Sequence, residues 1–534
     1  NSYNVGVGFY AGTDITTGIH NTIVGSLAGD AITDADNNVA VGYNSLSADT
    51  LGSKSVAIGR AALNAQNFTT ATDTHNVAVG YNAGLSVTTA VDHTLIGGLA
   101  GDALTTGTRS VAVGRSALST ETTASRSVAV GNSALSVQNV GGSGDSGNTA
   151  VGSEAGASVT TGIRDTLVGY QAGDALTDAD ENVAIGYAAL SADTLGSQSV
   201  AIGTQALTNQ NFTTSTDSFN TAVGHSTGQA LTTGVKNTII GGLAGDAITD
   251  ADFNVVVGFQ ALSTNSLGSA SVAIGTSALE NQNPATATDM HNVAVGHSAG
   301  QSVTTGIKNV IVGGQAGDAL TTGSYNVAIG DFALTSDDLG SRAVAVGANA
   351  LFSQNYATAT DGYNVAVGMN AGLSVTTGVQ NVLIGGLSGD ALTDADFNVA
   401  VGVSALSSDT KGGTAVAVGA AALFTQNFTT TTNNYNTGIG FNAGYSITTG
   451  VQNTLVGGLA GDSLTDADFN VAVGVTALDA DTLGSRSTAL GYAALTAQNF
   501  TTATNTYNVA VGFQAGAAVT TGLLNTLVGS LSGL

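Results

Sequence analysis

One polar residue, three successive apolar residues and a glycine make a block of five, seen cleanly at Asn364-Val365-Ala366-Val367-Gly368. The block returns thirty times between Asn4 and Gly529. The first block of each group begins at Asn4, Asn76, Asn148, Asn220, Asn292, Asn364, Asn436 and Asn508, always 72 residues apart. Inside one group the steps are 17, 17, 17 and 21 residues, as from Asn364 to Asn381, Asn398, Ala415 and Asn436. Self-similarity at a short fixed period is the signature of a stacked solenoid, in which each coil contacts only its neighbours. The β-branched residues of the pentad predict a short strand. With one strand per coil in a parallel ladder, thirty coils predict a rod of roughly 140 Å at about 4.8 Å per coil.

A strand with one wet face alternates apolar with polar residues, whereas three apolar residues in succession are how strands covered on both faces read. One face points into the coil, so the pattern calls for a second cover. A parallel homotrimer about a three-fold axis supplies it for every coil at once, and closed symmetry stops the contact from propagating. The pentad glycine, present in every coil and exemplified by Gly8, Gly59, Gly241, Gly368, Gly402 and Gly529, predicts positive φ or close backbone approach. Three residues later comes a small residue followed by Gly or Leu, as in Ala371-Gly372 and Ala405-Leu406, expected to be a second, shorter strand. Asn opens most first, second and third coils, and aligned Asn side chains bond along a stack.

Composition sharpens this picture. Seventy-four glycines with a single proline, Pro284, exclude collagen, and the abundance of Gly, Val, Thr, Asn and Asp disfavours long helices. The 534 residues therefore read as one all-β, continuous repeat domain, 1–534, with seven 72-residue units over 4–507 and a partial unit over 508–534. Both ends cut through the pattern, so a fragment of a longer chain is expected. There is no cysteine for disulfides or thiolate metal sites. A net charge of −26 is the wrong sign for a nucleic-acid partner, and no run of eighteen apolar residues provides a membrane span.

The connectors between pentads carry the candidate chemistry. Asp-x-x-x-Asp-x-Asp recurs at Asp30, Asp34 and Asp36; at Asp174, Asp178 and Asp180; at Asp246, Asp250 and Asp252; at Asp390, Asp394 and Asp396; and at Asp462, Asp466 and Asp468. Two readings stay open for these carboxylates: oxygen ligands for Ca²⁺, the one cofactor the sequence offers, or turn residues whose side chains bond nearby backbone N–H groups. Each fourth coil carries a longer loop beginning at Gln66, Gln138, Gln210, Gln282, Gln354, Gln426 or Gln498 and expected to bulge outward. Five of these loops place an aromatic after Gln-Asn: Phe68, Phe212, Tyr356, Phe428 and Phe500. These rings suit receptor contact by stacking on sugars, or they fold back as lids on the roll. Six histidines lack ligand spacing, and no nucleophile–base set recurs, so no enzymatic chemistry is expected.

The pentad with a small residue three places beyond its glycine resembles the head repeats of YadA-type trimeric autotransporter adhesins, with their Ser-Val-Ala-Ile-Gly motif. Ser55-Val56-Ala57-Ile58-Gly59 and Ser199-Val200-Ala201-Ile202-Gly203 match it letter for letter, and the likeness covers the whole chain. It is also similar to the Asn-Thr-Ala-Ile-Gly repeats of phage tail fibres. The resemblance implies a homotrimer of left-handed parallel β-rolls, extracellular, on a bacterial surface or a virion, attaching to a cell-surface glycan or protein receptor. A structural filament or spacer without a ligand, assembling with itself, is the alternative expectation.

Overall fold

The computed structural model describes residues 2–142 and 144–534. Among them there is no helix, and every strand of the main ladders is three residues long. The chain comprises two compact units, Asn1–Ser269 and Ala270–Leu534. Each is an all-β parallel solenoid built from pentad strands, fifteen in the first unit and fifteen in the second among the described residues.

Pairing is in register from coil to coil. Within the second unit Val365, Ala366 and Val367 face Val382, Leu383 and Ile384, and the same correspondence joins Val382–Ile384 to Val399–Val401. The ladder is closed by bonds such as Val365 N–H to Asn381 O at 2.8 Å and Gly385 N–H to Val367 O at 2.7 Å. Register cannot slip by one residue, because of the three apolar pentad positions only the third points into the roll. Ala366, Leu383, Ala400 and Ala417 are all fully buried. The second and fourth positions point to the other side and remain partly open, with Ile58, Ile96, Ile384 and Ile439 all 38–39% exposed. The three apolar residues thus serve two faces, and a single chain covers one of them.

The fifth position needs glycine for both reasons that the sequence raises. Gly368 has φ +141°, and a Cβ there would lie 2.6 Å from the carbonyl carbon and oxygen of Gly385 in the next coil. Successive pentad glycines therefore stack backbone on backbone, with no room for a side chain between them.

The second strand expected at Ala371-Gly372 and Ala405-Leu406 is absent; these residues lie in turns. The reason is a residue in the left-handed region at this point of each coil: Gly372 has φ +59° and Leu406 φ +56°. Left-handed backbone costs Leu roughly 1–2 kcal/mol. It persists because Leu406 N–H donates to Ala422 O at 3.0 Å and its side chain is fully buried. The Gly-or-Leu choice follows core volume. At Gly372 a Cβ would meet Leu383 Cδ1 at 2.8 Å and Leu351 Cδ2 at 3.0 Å. Where the third pentad positions of a coil and of the next coil are both small, as with Ala400 and Ala417 around Leu406 and with Ala417 and Gly438 around Leu423, Leu occupies that space instead.

Candidate interaction surface

The position that follows this turn by three residues is interior in all four coils, occupied by Val375, Leu392, Asp409 and Gln426, each with no exposed surface. Third and fourth coils thus put a carboxylate and an amide inside the roll. Gln426 Nε2 donates to Asp409 Oδ2 at 2.6 Å, while Asp409 Oδ1 accepts from Gly412 N at 2.9 Å and Phe428 N at 3.1 Å. Gln426 Oε1 then accepts from Asn436 Nδ2 at 2.8 Å, joining the pair to the next group. The arrangement recurs at Asp49–Gln66, Asp193–Gln210, Asp337–Gln354 and Asp481–Gln498. Burial raises the carboxyl pKa of Asp409, with the bond from Gln426 the largest opposing effect. The sequence put these Gln at the root of an outward loop and did not single out these Asp residues; both belong to the core. Their 17-residue offset from Val375 and Leu392 was the available signal.

The loop that follows is anchored by its aromatic. Phe68, Phe212, Tyr356, Phe428 and Phe500 are only 4–7% exposed. A Cβ on Gly412 would run into the Asp409 carboxylate first and would also lie 2.7 Å from the Phe428 ring, which explains the glycine three residues after Asp409. Tyr356 also donates its hydroxyl to Gly378 O at 2.9 Å. The rings act as lids and offer no stacking face to a sugar, whereas Thr69 and Thr70 beside Phe68 are exposed. Past the tip the chain returns to the roll, where Thr432–Asn433 pairs in parallel with Gly412–Gly413.

The carboxylates of the Asp-x-x-x-Asp-x-Asp turns point to separate partners in neighbouring coils. Asp36 Oδ1 accepts from Ile19 N at 2.7 Å, and Asp34 accepts from the Thr17 hydroxyl. Asp180, Asp252, Asp396 and Asp468 repeat the backbone bond, and Asp178, Asp250 and Asp466 repeat the hydroxyl bond. Asp394 lies beside Lys411 at 3.8 Å. The first Asp of each set is half-buried: Asp390 Oδ1 accepts from Ser407 Oγ at 2.6 Å, whereas one buried oxygen each of Asp30, Asp174, Asp246 and Asp462 has no protein partner. Burial raises the pKa of those four carboxyls. Among the described residues no three His, Cys, Asp or Glu side chains converge as metal ligands.

The outer strand face and its borders remain open along each unit. Every Lys and Arg except Lys411 stands directly before or directly after a pentad, whereas only Asp92, Glu181 and Asp331 of the 37 acidic residues do. These two columns are thereby poor in acidic residues for a chain carrying −26, although Asp73, Asp145 and Asp361 pair with Lys54, Arg126 and Arg342 at their edge. Aromatics fill the same two columns, and neighbours stack along them. Arg342 lies 5.1 Å from the Tyr325 ring and 5.7 Å from Tyr363; Arg486 lies 4.6 Å from Phe469 and 5.9 Å from Tyr507. In the first unit Arg60 sits between Tyr43 and Tyr81 and donates to the Tyr81 hydroxyl at 3.1 Å. Cation–π contacts of this kind contribute roughly 0.5–1 kcal/mol each at exposed sites and hold the column side chains in order. Sequence reasoning passed over these columns, although the residue before each pentad is the one position where Tyr, Phe, Arg and Lys recur together.

Comparison with family models and with curated proteins returns no match for this chain.

Proposed function

We propose that the chain is a segment of an extracellular attachment fibre, a bacterial surface adhesin or a phage tail fibre, in which three copies associate through their outer strand faces. The carrying observation is the uncovered apolar face of a parallel sheet, an architecture that elsewhere has both faces covered. A five-residue span across fifteen strands amounts to roughly 1,100 Å² per unit at about 3.3 Å per residue and 4.8 Å per strand. A stable protein–protein interface needs about 800 Å² per partner. Charge supports like-to-like pairing: the acidic residues that would repel another copy are largely kept off this face. The apolar stripe with aromatic and Arg borders also matches the composition of interface cores and hot spots. A left-handed roll and a three-fold axis are the forms that the YadA-head resemblance supplies.

Light scattering on the purified chain tests the assembly: three times 52.1 kDa is expected, and a stable folded monomer overturns it. Adhesion is tested by binding of that trimer to cells and glycan arrays. The second reading, a filament or spacer that holds no receptor, draws support from the five aromatic loop residues, which are turned inward as lids. Trimer mass without any cell or glycan binding selects it.

A further inference from the structure

The first pentad position forms a polar ladder inside each unit, interrupted in the second at Ala343 and Ala415. Asn364 Oδ1 accepts from Asn381 N in the next coil at 2.9 Å, and Asn364 Nδ2 donates to Gly378 O, fourteen residues on, at 2.7 Å. Each rung therefore needs one acceptor and one donor. Two rungs of the first unit are occupied by titratable residues instead. His93 Nδ1 accepts from Ser110 N at 3.1 Å, and its Nε2 lies 2.8 Å from Gly107 O, again fourteen residues on. A carbonyl only accepts and a backbone N–H only donates, so this ring must carry its single proton on Nε2. Asp165 Oδ1 accepts from Asn182 N at 2.9 Å, but its Oδ2 is buried with no partner as a carboxylate. By the register of the ladder, Oδ2 occupies the place of the amide nitrogen that donates to residue i+14, here Ala179 O.

We infer that His93 and Asp165 are pH-sensitive rungs: each reproduces the asparagine pattern only when uncharged, His93 as an Nε2–H imidazole and Asp165 as a carboxylic acid donating its Oδ2 proton to Ala179. Their surroundings leave them so. Asp165 has Asp180 as its acidic neighbour, and the adjacent Arg164 is engaged outside by Glu181 at 2.8 Å. Burial raises the Asp165 carboxyl to about 8. Burial lowers the His93 imidazole pKa despite nearby Asp92, which stands 3.6 Å from His75 and 3.9 Å from Arg109. The second unit has only Asn, Ser and Ala at this position, so the device belongs to the first.

The signs follow from linkage. Asp165 has a raised folded pKa, so the stability it contributes is lost as pH climbs from the ordinary carboxylate range toward about 8. His93 has a lowered folded pKa, so its contribution is lost as pH falls below the ordinary imidazole value of about 6.5. Hydrogen exchange at several pH values on the wild-type chain, Asp165→Asn and His93→Asn tests the device. Both variants install the residue found at most other rungs, so they fold. Relative to Asp165→Asn at the same pH, the wild-type segment around Asn182–Ile185 should lose protection by up to roughly tenfold per pH unit from pH 5 to 8 and then level off. Relative to His93→Asn, the segment around Ser110–Val113 should lose protection as pH drops from 6.5 to 4.5. Wild-type and variant profiles that stay parallel at every pH overturn the proposal, as does Asp165→Asn exchanging faster than wild type throughout.

Discussion

Gln426 donates to Asp409 at 2.6 Å in the interior of the roll, among fully buried apolar side chains such as Leu406 and Leu423. Asp409 is also the acceptor for two backbone N–H groups, so it closes the turn to Gly412 and fixes the root of the long loop at Phe428 in one place. A polar pair there costs desolvation, and its return is a unique position for the four extra residues of the fourth coil.

Asp409→Leu should strand the amide of Gln426 and the N–H groups of Gly412 and Phe428. Each unsatisfied buried donor costs about 1–3 kcal/mol, so a local loss of several kcal/mol is expected in chemical denaturation. Asp409→Asn should be far milder, because Asn265 already holds the same turn through Gly268 N at 2.9 Å. The raised Asp409 pKa adds a pH signature: its contribution falls as pH rises from the ordinary carboxylate range through the elevated value, and the Asn variant removes that slope. Equal stability of the Leu and Asn variants would sink this account.

Gly368→Ala should be among the most damaging single-methyl changes in the chain. The new Cβ would enter at 2.6 Å from Gly385, with φ at +141°. Backbone strain and overlap together cost about 3 kcal/mol or more. Because solenoid coils contact only their neighbours, the expected result is enhanced exchange confined to a few coils, measured by hydrogen exchange.

The pentad register and the stacked glycines were legible because a 72-residue period repeats the same demand many times, whereas three successive apolar residues did not say which of them turns inward. The turn at Ala405-Leu406 was not, since nothing in a Leu announces φ +56°; the backbone is imposed by the stack. Asp409 and Gln426 were missed because polar residues in a Gly- and Thr-rich connector read as surface. The Asn ladder was anticipated, and its bonds prove to run chiefly from side chain to neighbouring backbone, as at Asn364 and Gly378.

Calcium at the aspartate turns is testable by melting with and without millimolar Ca²⁺. Since Asp34 and Asp36 already bond Thr17 and Ile19, no change in midpoint is expected. A bound ion would raise stability by RT ln(1 + [L]/Kd), about 2.7 kcal/mol at a hundredfold excess over Kd. A rise of that kind, abolished by Asp34→Asn with Asp36→Asn, would establish calcium there.

Ile384→Asp probes the outer face. The side chain is 38% exposed in the single chain, so a charge there should leave the coil folded. Buried against a second copy, the same charge costs several kcal/mol per chain. Light scattering should move from trimer toward monomer with the circular dichroism spectrum preserved. A trimer mass unaffected by Ile384→Asp and by Val367→Asp would place the assembly contact elsewhere.

The long loops separate shaft from adhesin through a paired substitution. Phe428 is 6% exposed and seated over Gly412, while Tyr435, seven residues on at the border of the strand face, is 56% exposed. Phe428→Ser removes a buried ring, a change that costs about 3–5 kcal/mol when a ring is truncated in a core, and should lower the midpoint of thermal unfolding. Tyr435→Ser removes an exposed ring and should leave that midpoint within experimental error. If receptor binding depends on loop shape, Phe428→Ser lowers binding together with stability, and both recover with Phe428→Tyr, since Tyr356 fills the same position in another group. If binding uses the aromatic columns, Tyr435→Ser lowers binding alone. Phe428→Ser with an unchanged midpoint and lost binding would mean that the ring leaves its seat to meet the receptor, and the lid assignment would fall.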